Sequence, residues 1–235
     1  MIKVVAFCTD DKLYYQHAML LKKSLEVLGI ALHLEVIPSD EWQKVIAIKP
    51  DFINRMCKQY ECGILYIDAD AFVHKDITAY FDGLKEDIAA HYFDGTELTS
   101  GTLFINNTKA ARELVSDWVE AMMHDPDKWD QKVLEELVGE RIKQGQLSVR
   151  DLRPEYTYIY DLTPQVYADD GLGQPIIEHL QASREKRYFS YYENTHRLRR
   201  RAMGVPLLSK RYRKLLVRRK HAQFLANKVG IEIEF

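Results

Sequence analysis

The stretch Ile64-Leu65-Tyr66-Ile67-Asp68-Ala69-Asp70-Ala71-Phe72-Val73 carries the clearest chemistry in the chain, with two carboxylates set into an otherwise apolar run. Such a run reads as a buried parallel strand, and carboxylates at its carboxyl end need a partner. Residues two apart in extended backbone share a side, so Asp68 and Asp70 can aim their oxygens at one point. Hard oxygen ligands there suit Mg²⁺ or Mn²⁺. Ligands of open α/β sheets gather just beyond the carboxyl ends of the strands, where this pair falls. The plain alternative is a pair of solvated turn carboxylates. The Cys62-Gly63 break, the four apolar residues before the pair and the turn at His74-Lys75-Asp76 favour the metal.

Other candidates flank this centre. Lys49, Arg55 and Lys58 precede it and read either as solvated cations or as diphosphate contacts. Ser100-Gly101-Thr102 leads into a strand, where a glycine allows close backbone approach by a ligand or marks a β-bulge. Asp130 fits a helix N-cap as well as a catalytic position. His179 ends a short apolar strand, a place where histidines are usually structural. Ser183, Arg184 and Lys186 follow it with a hydroxyl and cations suited to a metal-bound diphosphate.

These residues need elements to hold them. Lys3 to Cys8 reads as a strand. Asp10 or Asp11 then caps a helix with apolar residues at helical spacing up to Gly29, and Leu32 to Ile37 is a second strand. That β-α-β order predicts a right-handed parallel crossover. Two helices are expected next, Pro38 to Ile48 and then Lys49-Pro50 to Tyr60. Further elements are a short helix at Ile77 to Leu84, a strand at Asp87 to Tyr92, and helices from Lys109 to His124 and from Trp129 to Leu137. Gln146 to Tyr160 reads as a strand interrupted at Pro154, and Pro175 to Leu180 as another. The first turn has no glycine-rich fingerprint, which argues against a dinucleotide-binding dehydrogenase.

With 235 residues, 46% of them hydrophobic and 29% charged, the chain has the composition of a soluble globular protein. No apolar run approaches a membrane span and no signal peptide is evident, so a cytoplasmic location is expected, with peripheral attachment to a membrane as an option. Cys8, Cys57 and Cys62 lack metal-site spacing and read as reduced thiols. The net charge of −2 hides an asymmetry: eleven Lys or Arg and no acidic residue lie between Arg197 and Lys220, leaving 22 basic against 35 acidic residues elsewhere. Such a segment suits anionic membrane, nucleic acid or an acidic glycan, and its last part reads as a basic amphipathic helix that could equally pack on the acidic body. The expected organisation is a catalytic domain over residues 1–187 and a basic helical C-terminal appendage over residues 188–235.

The ordered set resembles the GT-A class of nucleotide-sugar glycosyltransferases, with family 8-like features. It comprises Thr9 after the first strand, Lys49-Pro50-Asp51-Phe52-Ile53, the Asp68-Ala69-Asp70 stretch, Ser100-Gly101-Thr102-Leu103-Phe104, Trp118, Asp130-Gln131, and Ile177-Glu178-His179 with Ser183-Arg184. The resemblance implies an α/β/α sandwich with a mostly parallel, Rossmann-like sheet. It implies Mn²⁺ or Mg²⁺ on Asp68, Asp70 and His179, the imidazole tilting the preference toward Mn²⁺. Donor nucleotide and diphosphate would meet Thr9, Asp10, Lys49, Ser183, Arg184 and Lys186, and the donor sugar Ser100, Gly101 and Thr102. Asp130 and Gln131 would be catalytic. The donor would be a nucleotide sugar, a UDP-sugar ahead of a GDP-sugar, and the acceptor a polyanionic or membrane-associated glycan, a lipid-linked glycan, or hydroxylated bases of DNA. Two other classes compete. A sugar nucleotidyltransferase should carry a glycine-rich basic N-terminal loop, which Cys8-Thr9-Asp10-Asp11-Lys12-Leu13 is not. A non-catalytic nucleic-acid-binding protein would leave the acidic body unexplained.

Overall fold

A computed structural model describes residues 2–40, 42–185 and 210–234. Strand β1 (Lys3–Thr9) leads through helix α1 (Lys12–Val27) to β2 (Leu32–Ile37), and both β2 and β3 (Ile64–Ile67) pair with β1 in parallel. Asp11 caps α1 by accepting from the Tyr14 N–H, and Gly29 takes the left-handed φ of +74° that closes it.

The remaining strands of the main sheet are β5 (Ile88–Phe93), β6 (Glu97–Ile105) and β7 (Val149–Asp151), in the order β2-β1-β3-β6-β5-β7. Only β6 runs antiparallel to its neighbours. On one face Phe52, Ile53 and Met56 of α2 (Trp42–Gln59), Leu114 and Trp118 of α4 (Lys109–His124) and Leu134 of α5 (Asp130–Lys143) pack against Val5, Tyr66 and Leu103. On the other, Leu21 and Leu25 of α1 and Phe81 of α3 (Thr78–Asp82) pack against Val4, Leu65 and Phe104. Consecutive residues thus feed opposite cores, the period of a strand covered on both sides.

Three expectations are corrected. The aspartate stretch is not one strand: β3 stops at Ile67, and β4 (Ala71–Val73) belongs to a second, three-stranded sheet, β4-β9-β8, with β8 (Tyr158–Ile159) and β9 (Ile177–His179). Asp68 and Asp70 therefore converge through a turn, closed by the Ala71 N–H donating to the Asp68 carbonyl at 3.1 Å, rather than through strand alternation. The two helices expected around Lys49 are one, α2, with Pro50 inside it. An interior proline removes one helix hydrogen bond and crowds the carbonyl four residues back, a cost that burial of the row Phe52, Ile53 and Met56 offsets. Asp130 is the first residue of α5 rather than its cap, which is Trp129.

Beyond the short α6 (Thr163–Val166), the C-terminal helix α7 (Lys210–Lys228) docks on the body. Ala222, Leu225 and Ala226 join Leu20, Phe72 and Leu180 in an apolar cluster that Ile233 completes. Polar contacts flank it: Arg218 donates to Asp161 at 2.6 Å, Arg219 pairs with Glu185, and His221 donates to Glu178 at 2.9 Å. His74 donates to the other oxygen of Glu178 at 2.8 Å. Burial would raise the Glu178 carboxyl, but these two imidazoles bring it down to about 2.

His17, on α1 beneath the aspartate turn, is only 2% exposed. Burial pushes its ring down to about 4, against a smaller opposing pull from Asp70. The unfolded ring titrates near the ordinary 6.5, so between the two values the unfolded chain binds more protons. Stability is then full above 6.5 and falls by roughly 3 kcal/mol as the pH drops to 4. Thermal midpoints from pH 7 to 4 should show this fall in the wild type and a shallower one in His17→Gln; equal slopes would remove His17 as the source.

Candidate active site

The site lies where the two sheets part. Oxygens of Asp68 and Asp70 and a ring nitrogen of His179 lie within 4.8 Å of one another. β4 and β9 pair antiparallel, with Ala71 opposite His179, which carries the ring to the aspartate turn. The backbone beyond β9 clasps the turn: Leu180 N–H donates to the Asp70 carbonyl at 2.9 Å, and Ala182 N–H to its Oδ2 at 2.7 Å. Burial alone would raise the Asp70 carboxyl; His179, His17 and the Ala182 N–H outweigh it and hold the carboxyl below its ordinary range.

A cation fits here. Two ligands on one Mg²⁺-sized ion sit at most about 4.2 Å apart, so side-chain shifts well under an ångström complete the set. Gly101 leaves the room: a Cβ there would stand 3.1 Å from both Asp68 Oδ2 and His179 Cε1. Gly101 also fixes the turn by accepting the Asp68 N–H at 2.8 Å.

Lys49 organises the charge behind the metal set. It is 7% exposed, and its ammonium reaches Asp68 Oδ1 at 3.2 Å, Ser100 Oγ at 3.2 Å and Asp130 Oδ2 at 3.5 Å. The Tyr66 hydroxyl donates to the same Asp68 Oδ1 at 2.7 Å. Asp68 therefore spends Oδ1 on Lys49 and Tyr66 and presents Oδ2 toward His179. Burial works against the charged Lys49, but Asp68 and Asp130 more than offset it and raise its pKa. Asp130, 1% exposed, is raised by burial, with Lys49 opposing. Asp68 and Asp130 share one ammonium and Asp70 lies beside Asp68 in the ligand set, an excess of negative charge that a divalent cation would balance.

An open cavity of about 260 Å³ adjoins this cluster, lined by Thr9, Lys49, Asp68, Asp70, Ser100, Gln131 and Ser183 among the anticipated residues. Gln131 donates to Glu97 at 2.8 Å. Thr102 and Asp130 do not line the cavity: Thr102 is fully buried with its hydroxyl 2.9 Å from His179 Nε2, and Asp130 is sealed beneath Lys49. Asp10 lies outside it too, accepting from the Ser39 hydroxyl and N–H. Arg184 is exposed away from the cavity lining, and Arg55 forms a bidentate pair with Glu35. Lys186 lies outside the described residues, as does most of the Arg197–Lys220 segment.

Among the lining residues not anticipated from the sequence, three stand out. Tyr14 stands on the first turn of α1; Trp129 is a large aromatic left 43% exposed on the wall; and Gln181 adopts a left-handed φ of +60° just after β9. Left-handed non-glycine backbone costs about 1 kcal/mol or more and concentrates at functional sites. Neighbourhood to Asp130-Gln131 and to His179 was the available signal for Trp129 and Gln181.

A mixed sheet with helices on both faces, and a small second sheet that delivers a histidine to an Asp-x-Asp turn, form the GT-A architecture expected from the sequence. The fold matches a glycosyltransferase involved in glycosylation of the major capsid of PBCV-1, with a TM-score of 0.60 and 16% identity over 80% of this chain and 98% of that one. It also matches the glycosyltransferase GlyE of Streptococcus pneumoniae TIGR4, with a TM-score of 0.53 and 19% identity over 76% of this chain; the match spans 54% of GlyE. No curated protein sequence matches the chain. The chain belongs to the nucleotide-diphospho-sugar transferase family, whose sequence profile matches residues 3–168. Among the described residues no helix is long and apolar enough to cross a membrane.

Proposed function

We propose that this glycosyltransferase moves a sugar from a nucleoside-diphosphate donor, a UDP-sugar ahead of a GDP-sugar, to an acceptor hydroxyl, with Mn²⁺ or Mg²⁺ held by Asp68, Asp70 and His179. The observation that carries the reading is the convergence of these three ligands on one point at the edge of the cavity. The bound cation supplies Lewis-acid stabilisation of the departing diphosphate. As the bond between the anomeric carbon and the phosphate oxygen breaks, the electron pair stays on the diphosphate, and Lys49 adds positive charge behind it. Thr9 and Tyr14 face the nucleoside end, while Ser100 and Gln131 face the sugar. Asp130 acts through Lys49, since it is sealed from the cavity.

For the acceptor, the structure favours a carbohydrate. The exposed Trp129 indole beside Gln131 offers an apolar face for a sugar ring next to a polar side chain. The cations that suggested DNA or anionic lipid are partly committed elsewhere, since Arg218 and Arg219 hold α7 to Asp161 and Glu185. In this reading the body over residues 1–187 is the catalytic unit and α7 braces it. Calorimetric titration of UDP-, GDP- and CDP-sugars with Mn²⁺, repeated in EDTA, tests the proposal. One donor should bind with metal and lose most of its affinity in chelator; equal binding in both would refute the metal's part.

A further inference from the structure

We infer that Thr102 is a positioning residue for the cation site, setting His179 so that Nδ1, not Nε2, meets the metal. This rests on the proposed metal role of Asp68, Asp70 and His179. The ring is buried between the two sheets, and its nitrogens face different partners. Nδ1 is 3.9 Å from Asp70 Oδ1 and lies on the side of Gly101, where a Cβ would come within 3.4 Å of it. Nε2 lies 2.9 Å from the Thr102 hydroxyl. Thr102 is itself wholly buried and paired in register with Ile67, the last residue before the aspartate turn.

A neutral imidazole carries one proton and offers its lone pair at the other nitrogen. For Nδ1 to bind a cation, the proton must sit on Nε2, in a place water does not reach, and needs an acceptor there. The Thr102 hydroxyl oxygen is that acceptor, and it is fixed by a sheet rather than by a loop. Because a hydroxyl also turns to donate, Thr102 serves the ring in the metal-free protein as well. Its burial gives it no route to the donor sugar, so its contribution runs through His179 alone.

The test is a calorimetric Mn²⁺ titration of the full chain as wild type, Thr102→Val, Thr102→Ser and His179→Ala. Valine keeps the shape and removes the acceptor, and outer-shell changes of this kind weaken metal binding by about 10- to 100-fold. Serine should restore wild-type affinity, a rescue that a purely packing role would not give. Wild-type affinity in Thr102→Val, with loss in His179→Ala, would overturn the role of Thr102. Wild-type affinity in His179→Ala would instead overturn the metal assignment beneath it. A second measurement needs no variant: pulsed EPR of the Mn²⁺-loaded protein with histidine labelled with ¹⁵N at Nδ1. A direct ¹⁵N coupling is expected, and its appearance only with an Nε2 label would contradict the inference.

Discussion

Asp70→Asn should abolish Mn²⁺ binding and lower sugar transfer about a thousandfold or more at only a modest cost in stability. The asparagine oxygen can still accept the Ala182 N–H that Asp70 Oδ2 accepts now, so the clasp between the turn and β9 survives. What goes is one of the charges that hold the cation. Lewis-acid stabilisation of a developing oxyanion is worth several kcal/mol, and each 1.36 kcal/mol is a factor of about ten in rate. Stability should fall only modestly: the fold holds the Asp70 carboxyl below its ordinary range through His179, His17 and the Ala182 N–H, and asparagine keeps the last of these contacts. Activity assays and chelator-treated thermal melts together check this. A structural aspartate would give the reverse pattern, a lower midpoint with transfer largely retained.

The second large effect is expected at Lys49. Methionine there keeps most of the side chain's volume and deletes the ammonium, leaving the Asp130 carboxylate buried without its cation and Asp68 with only Tyr66 on Oδ1. Removing one partner of a buried ion pair costs roughly 3 to 5 kcal/mol, which in a protein of this size lowers the thermal midpoint by about 10 °C. Lys49→Met/Asp130→Asn should recover much of that loss, because the second change removes the stranded charge. Additive losses in the double variant would mean that the two residues are not energetically coupled.

The two sites differ in how far they could be read from sequence. The Asp-x-Asp signal was visible because carboxylates inside an apolar run violate local expectation, and helices α1 and α4 were visible because their caps and apolar spacing are local. Three things were not. That the run divides between two sheets depends on β4 finding β9, more than a hundred residues away. That Lys49 pairs with buried carboxylates depends on Asp68, Asp130 and Ser100 arriving from three other elements. That the Thr102 hydroxyl meets the His179 ring depends on which face of β6 the second sheet covers. The basic C-terminal stretch is a related case: its composition suits either a polyanion or the acidic body, and only the structure pairs its described part, α7, with Asp161, Glu178 and Glu185 of that body.

The most direct measurement of the central claim is acceptor-free donor turnover, with release of the nucleoside diphosphate from each nucleotide sugar followed in Mn²⁺ and in EDTA for wild type and Asp70→Asn. Water substitutes slowly for the acceptor hydroxyl, so the identity of the acceptor does not enter. The account predicts release from one donor, dependent on metal and absent in Asp70→Asn. Release that proceeds equally in EDTA, or undiminished in Asp70→Asn, would contradict a metal-dependent site built on Asp68, Asp70 and His179.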